Sequence, residues 1–265
     1  MVVGGVISIF ALAPVVWMFG TGFKTTQETY VSPPAWLPRH PTLSNFAYTL
    51  GRGEFTTYFR NSLIVGVATT LITLALSTLS GYAFSRYRFR GRNVILMSIL
   101  GAQMFPSVLL IIPLFKLVNW LGMMDSLRAL VLCDVTFALP LSVWLMKGFF
   151  DQIPRELDEA SMLDGCDALG TLKNVLLPLV APGMVATAIF VFIAAWDELL
   201  FALTFTNTDA ARTLPVALNL FITSYEIQWN HLAAMALLVT VPVLVMFSMV
   251  QRRLVSGMTA GALKG

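Results

Sequence analysis

Long apolar stretches separated by short polar ones set the pattern of this chain. Six of them reach the length of about 20 mainly apolar residues that a helix needs to cross a bilayer: 2–22, 62–84, 94–117, 127–149, 179–205 and 232–250. Their helical periodicity is weak because both faces are apolar, as expected where lipid covers one side and other helices the other. Pro14, Pro106, Pro113, Pro140, Pro182 and Pro242 fall inside these stretches. Prolines are tolerated in membrane helices when neighbours satisfy the freed carbonyls, so kinked helices packed in a bundle are expected. The pattern predicts an all-α membrane protein with six transmembrane helices in a single permease-sized domain, 1–265.

Composition sharpens this. The 265 residues are 57% hydrophobic and 12% charged, against about 25% charged in soluble domains. Lipid is therefore the solvent for much of the surface. The net charge of +3 does not form a nucleic-acid-binding face; it bears on orientation instead. Arg86, Arg88, Arg90 and Arg92 crowd the loop after the second stretch, Lys147, Arg155 and Lys173 flank the loop after the fourth, and Arg252 and Arg253 follow the sixth. Basic residues in short loops mark the cytoplasmic side. That rule puts both termini, the segment 150–178 and the tail 251–265 in the cytoplasm, and the loops 23–61 and 206–231 outside. No basic flank precedes the first stretch, so the pattern of a cleaved signal peptide is missing and 2–22 reads as a retained helix. Cys133 and Cys166 are expected to be free thiols, and His40 and His231 stand in no Cys/His cluster that would hold zinc.

One polar island, 155–165, interrupts the apolar pattern between the fourth and fifth stretches. Pro154 suits a first helical position, and Glu156, Asp158 and Glu159 lie near the positive helix N-terminus. Gly165 can take the left-handed conformation that ends a helix. A second short helix is expected from Asp167 to Leu177, stopped by Pro178. Such a piece is either an ordinary solvated loop or a surface that grips a soluble partner. Its Glu159-Ala160-Ser161, three residues, Gly165, nine residues, then Val175-Leu176-Leu177-Pro178 resembles the EAA motif of ABC-importer permeases. Trp196-Asp197-Glu198-Leu199-Leu200-Phe201 and Thr213-Leu214-Pro215-Val216-Ala217-Leu218, the tail from Gln251, and Asn45-Phe46 and Asn61-Ser62 are similar to stretches of the carbohydrate-uptake members. Departures are Ser161 for an alanine, Cys166 for an alanine and Asp197 for an asparagine.

The resemblance implies a type I ABC-importer permease bundle in the bacterial or archaeal cytoplasmic (inner) membrane. It implies a subunit of a binding-protein-dependent sugar importer, working by alternating access. Its partners would be a second permease subunit in a heterodimer, two cytoplasmic ATPase subunits, an extracytoplasmic solute-binding protein, the sugar and membrane lipid, with no nucleic acid. Glu156, Glu159, Ala160, Ser161, Asp164 and Gly165 would couple to the ATPase. Asn219, Thr223 and Tyr225 would contact the binding protein. No Gly-Lys dipeptide, and so no phosphate-cradling Walker A loop, occurs in the chain. No cofactor is expected on this chain, which is not itself an enzyme; ATP and Mg would sit on the partner ATPase.

Ionisable groups within a bilayer usually face a cavity or another helix. Asp134, Asp197 and Glu198, with Trp196, are candidates for a substrate pathway, where carboxylates accept hydrogen bonds from hydroxyls and a ring stacks on a sugar face. The competing reading makes them interhelical packing and hydrogen-bonding groups. A secondary transporter would need paired broken helices and inverted repeats, and no clear repeat is seen. A membrane enzyme finds no metal-binding or nucleophile motif to support it.

Overall fold

The computed structural model describes residues 2–222 and 227–262, with side chains described for 4–222 and 227–248. The described residues are helical, with no β-strand among them; one isolated antiparallel bridge joins Ile222 and Ile227. Five helices are long and apolar enough to span a membrane, and a sharply bent pair makes a sixth if it counts as one span.

The chain divides into two units. The first comprises Met1–Ser62 and Asn207–Val245. It contains α1 (Val2–Gly22), the short α2 (Thr26–Thr29) and α3 (Ser44–Gly51), and the start of α4 (Gly53–Arg86). Polar side chains organise it. The Asn45 amide donates to the carbonyls of Gly22 and Lys24, 2.8 Å each, and its oxygen accepts from Asn230 at 2.8 Å. The Asn61 amide donates to the carbonyls of Ala210 and Arg212, at 2.8 and 2.9 Å, while the Ser62 hydroxyl accepts from Leu214 N–H at 2.8 Å. Buried carbonyls that no helix satisfies are thus matched by side-chain amides.

The second unit comprises Leu63–Thr206 and Met246–Gly265. After α4 come α5 (Arg92–Ala102), a 3-10 turn (Ser107–Leu110), α6 (Ile111–Trp120), α7 (Leu127–Asp151), α8 (Glu156–Leu163), α9 (Ala168–Thr171), a π turn (Leu172–Leu176), α10 (Leu177–Trp196) and α11 (Leu200–Phe205). The first unit resumes with α12 (Leu214–Asn219), and α13 (Trp229–Ala262) closes the described chain.

Three expectations need correction. The third apolar stretch is not one rod: α5 and the piece Ser107–Trp120 meet at 89°. Pro106 lacks an N–H, and its ring disfavours helical geometry at Phe105; the Gln103 amide donates to the Phe137 carbonyl at 3.0 Å beside the break. Nor is 179–205 continuous. Its helix ends at Trp196 and restarts at Leu200, because Glu198 supplies a side-chain cap to the next turn. Finally, Pro178 stops nothing. A helical run, Ala168–Trp196, passes through it, because the π turn donates Leu177 N–H to Leu172 five residues back. That widened turn relieves the clash a proline ring makes with the carbonyl four residues behind it.

Candidate functional site

The polar island folds as its local chemistry dictates. Glu156, Asp158 and Glu159 fill the first turn of α8, where negative charge meets the unsatisfied N–H groups. Pro154 stands just outside that turn, its carbonyl accepting from Leu157 N–H at 3.4 Å. At the other end Gly165 has φ +88. Its N–H donates to Met162 and that of Cys166 to Ser161, both at 3.0 Å. This paired closure is the Schellman arrangement, which places a glycine in the left-handed region. Asp167 then caps α9, its carboxylate accepting from Gly170 N–H at 2.7 Å.

One face of α8 turns inward. Asp158 and Ser161 are buried. The Ser161 hydroxyl donates to the Asp158 carbonyl at 3.0 Å and lies 2.6 Å from the Thr171 hydroxyl. Having one proton, Ser161 accepts from Thr171 when it donates to Asp158. Ser161, expected beside the coupling residues, is thus a bolt between α8 and α9 on the buried side of that segment. Glu156, Glu159, Ala160, Asp164 and Gly165 are exposed. Leu163 is 90% exposed and Leu169 69%, so the outward face alternates carboxylates with bare leucines.

What holds this platform was not visible in the motif. Arg86, at the end of α4, pairs with Asp158: Nε donates to Oδ1 at 3.1 Å, and Nη2 lies 3.0 Å from Oδ2 as an ion pair without hydrogen-bond geometry. The two side chains are 8% and 11% exposed. Nη2 also donates to the Ile153 carbonyl at 3.1 Å. Beside this pair, Ser85 donates to Asp151 Oδ1 at 2.7 Å, Lys147 pairs with Asp151 Oδ2, and Arg155 donates to the Ser85 carbonyl at 3.0 Å. A core of Tyr82, Met146, Phe150, Leu172, Leu176 and Val180 belongs to the same unit. The end of α4 is thus tied to α8 by the Arg86–Asp158 ion pair and to the end of α7 by the Ser85–Asp151 hydrogen bond. Arg86 had counted only as an orientation signal; its partner lies 72 residues away, and no local pattern announces that.

The membrane-embedded candidates lie elsewhere in the same unit. Asp134 on α7 is 6% exposed, and its Oδ2 has no hydrogen-bond partner. Glu198 accepts from the N–H groups of Phe201 and Ala202, at 2.7 and 2.9 Å, so its carboxylate is engaged as a cap. Asp197 is exposed at the end of α10, and Trp196, 1% exposed, stacks on Phe192 at 5.4 Å. The ring of Trp196 is enclosed by packing and presents no open face. Asn219 ends α12, its carbonyl accepting from Ile222 N–H at 3.0 Å. Thr223 and Tyr225 lie outside the described residues. Nearby, Asp209 accepts from Tyr58 at 2.6 Å and pairs with Arg212 at 2.8 Å, and these hydrogen bonds hold its carboxyl below the usual value. Both cysteines are free, and among the described residues no group of three or more His, Cys, Asp or Glu could hold a metal ion.

Known proteins resemble this chain in sequence and fold. The family described as binding-protein-dependent transport system inner membrane component matches residues 73–260. The trehalose/maltose transport system permease protein MalG of Thermococcus litoralis is 39% identical over 269 aligned residues, covering 100% of this chain and 96% of that protein. The diacetylchitobiose uptake system permease protein DasC of Streptomyces coelicolor is 36% identical, covering 98% and 94%. Among solved structures, one chain of a bacterial ABC transporter involved in the import of the acidic polysaccharide alginate superposes with a TM-score of 0.82 at 22% identity. That likeness covers 95% of this chain and 93% of the other, and it concerns the fold.

Proposed function

We propose, from the premise that this chain belongs to the family of binding-protein-dependent transport system inner membrane components, that it is a membrane-spanning subunit of an ATP-driven sugar importer. Its relatives named for trehalose, maltose and diacetylchitobiose transport support a carbohydrate cargo. Family membership removes the reason to consider a secondary transporter or a membrane enzyme.

The observation that carries the proposal is the α8–Gly165–α9 platform, exposed on one face and bolted on the other to α4 by Arg86–Asp158. A helix that transmits force needs both properties. Its outer face must fit a partner, and its inner face must not yield when that partner moves. In this reading six spans cross the bacterial or archaeal inner membrane with both termini in the cytoplasm. The platform docks on one of two ATPase subunits, which bind ATP and Mg. A second, related permease completes the pathway, and an extracytoplasmic binding protein delivers the sugar. Closure of the ATPase pair draws the platforms together and switches the bundle between inward- and outward-facing states. Glu156, Glu159, Ala160, Asp164 and Gly165 form the contact; Ser161 acts from behind it. Asn219 and the segment after it face the binding protein. Asp134 and Asp197 remain as polar groups for the pathway, while Glu198 positions α11.

The test is ATP hydrolysis stimulated by the loaded binding protein, in the complex reconstituted in vesicles. Glu159→Arg and Gly165→Val should each lower stimulation by about tenfold or more, the effect of about 1.4 kcal/mol of lost coupling, with membrane insertion unchanged. Wild-type stimulation and uptake in both variants would reject the docking role.

A further inference from the structure

The segment after α1 encloses a polar cavity that transport does not use. It is about 250 Å³ in volume and is lined by Lys24, Glu28, Leu37, Arg39 and His40 among others. The residues that build it fold back onto the last turns of α1. Trp36 meets Trp17 edge to face at 5.2 Å. Its carbonyl comes so close to α1 that a Cβ on Gly20 would lie 2.2 Å from it. Lys24, 2% exposed, donates to the Ala35 carbonyl at 2.5 Å and sits 4.5 Å over the Trp17 ring.

Two features locate the cavity and define its chemistry. First, α1 is a candidate span that ends at Gly22, two residues before Lys24. Trp36 and Leu37 are 55% and 67% exposed beside it. Exposed tryptophan at a span end marks the headgroup level of a bilayer. Second, the lining carries both charges, with Lys24 attracting Glu28 across it and one Glu28 oxygen still without a hydrogen bond. Glu28 Oε1 accepts from the His40 N–H at 2.9 Å, but Oε2 is buried and has no partner. A buried acceptor left unpaired costs free energy that a donor would recover. Arg39 supplies an exposed guanidinium to the same lining, a group suited to a phosphodiester.

We propose that this cavity binds the head group of an aminoethyl phospholipid, with its ammonium on Glu28, its phosphodiester on Arg39 and its acyl chains along the exposed side of α1 beside Leu37. The inference requires only that α1 crosses the bilayer; it is independent of the docking role of α8. A primary ammonium has three N–H donors for Glu28 Oε2. A trimethylated head group has the same charge and none, so it should bind less well. Lipid recognition here would rest on a hydrogen bond, not on net charge.

The experiment places the full chain, with its copurifying subunits, in nanodiscs of equal phosphatidylethanolamine and phosphatidylcholine, and reads retained lipid by native mass spectrometry. Phosphatidylethanolamine should be retained about tenfold over phosphatidylcholine, the effect of one charge-assisted hydrogen bond. Glu28→Gln should abolish that preference, and Arg39→Gln should lower retention of both lipids. Arg39 is exposed, so its variant decides the matter if Glu28→Gln does not fold. Equal retention of the two lipids, or a preference that survives both substitutions, overturns the proposal. Displacement by soluble O-phosphoethanolamine would make the ligand a solute and also overturn it. So would variants that keep the lipid pattern but weaken docking of the solute-binding protein, which would assign the cavity to a protein contact.

Discussion

Asp158 and Asp134 are both buried carboxylates of the same unit, and they are held in opposite ways. Asp158 accepts a hydrogen bond from Arg86 Nε on Oδ1 and has Nη2 in ion-pair contact at Oδ2, which itself accepts no hydrogen bond, and the ion pair ties two elements together. Asp134 has an oxygen with no hydrogen-bond partner and fastens nothing visible. Burying a charge is costly in either case, and only a partner with good geometry offsets the cost. The difference teaches that polarity inside this protein serves two ends. At the α4–α8 junction it joins two elements; along α7 it leaves a buried oxygen that no side chain or backbone group of the described residues bonds.

Substitutions can break that contrast. The largest effect should come from Asp158→Ala, which strands Arg86 in a site 8% exposed. Removing one member of a buried pair costs about 3–5 kcal/mol, visible as a marked fall in the thermal midpoint of the purified chain. Exchanging the two, Arg86→Asp with Asp158→Arg, should recover part of the loss; an exchange no better than the single change would show that the joint is packing and not charge. Next comes Glu198→Ala, which uncaps α11. A lost side-chain cap costs roughly 1 kcal/mol, and hydrogen exchange at Phe201 and Ala202 should quicken while the platform stays protected. Smallest is Asp134→Asn, which exchanges a buried carboxyl for an amide without breaking an observed bond. Its stability should stay within about 1 kcal/mol of the parent or rise, while uptake is the property free to change. A destabilisation as large as that of Asp158→Ala would mean Asp134 has a structural partner after all, and the contrast would fail.

How far the sequence could be read follows the range of the interactions involved. The acidic first turn of α8 and the left-handed Gly165 were legible, since each is decided within a few residues; α8 begins at Glu156 and not at Pro154, and Asp167 caps α9 from outside it. The apolar stretches were legible as helices because length and composition suffice for that. The break at Gln103–Pro106 was not, because proline inside a membrane helix is compatible with a kink, a break or neither, and the break at Asp197–Leu199 was not, because no proline marks it. Only the fold shows the 89° bend at Pro106, the Glu198 cap at the second break and the π turn that carries the helix through Pro178. Arg86–Asp158 lay beyond reach for a different reason. A basic loop residue and an acidic helix residue look alike whether solvated or paired, and only the fold brings them to 3.0 Å. Asn45, Asn61 and Ser62 were recognisable by resemblance alone; the structure supplies their cause, as amides and a hydroxyl that satisfy loop backbone.

The central claim is that the outward face of α8 and α9 rests on a nucleotide-hydrolysing neighbour. Leu163, 90% exposed on that face, allows it to be tested with Leu163→Cys after Cys133 and Cys166 are changed to serine. A short thiol cross-linker applied to the intact complex should join this position to the ATPase subunit, with a yield that changes when ATP is added. Labelling of Leu163→Cys only by a membrane-impermeant reagent from the outer side, with no product containing the ATPase, would contradict the account.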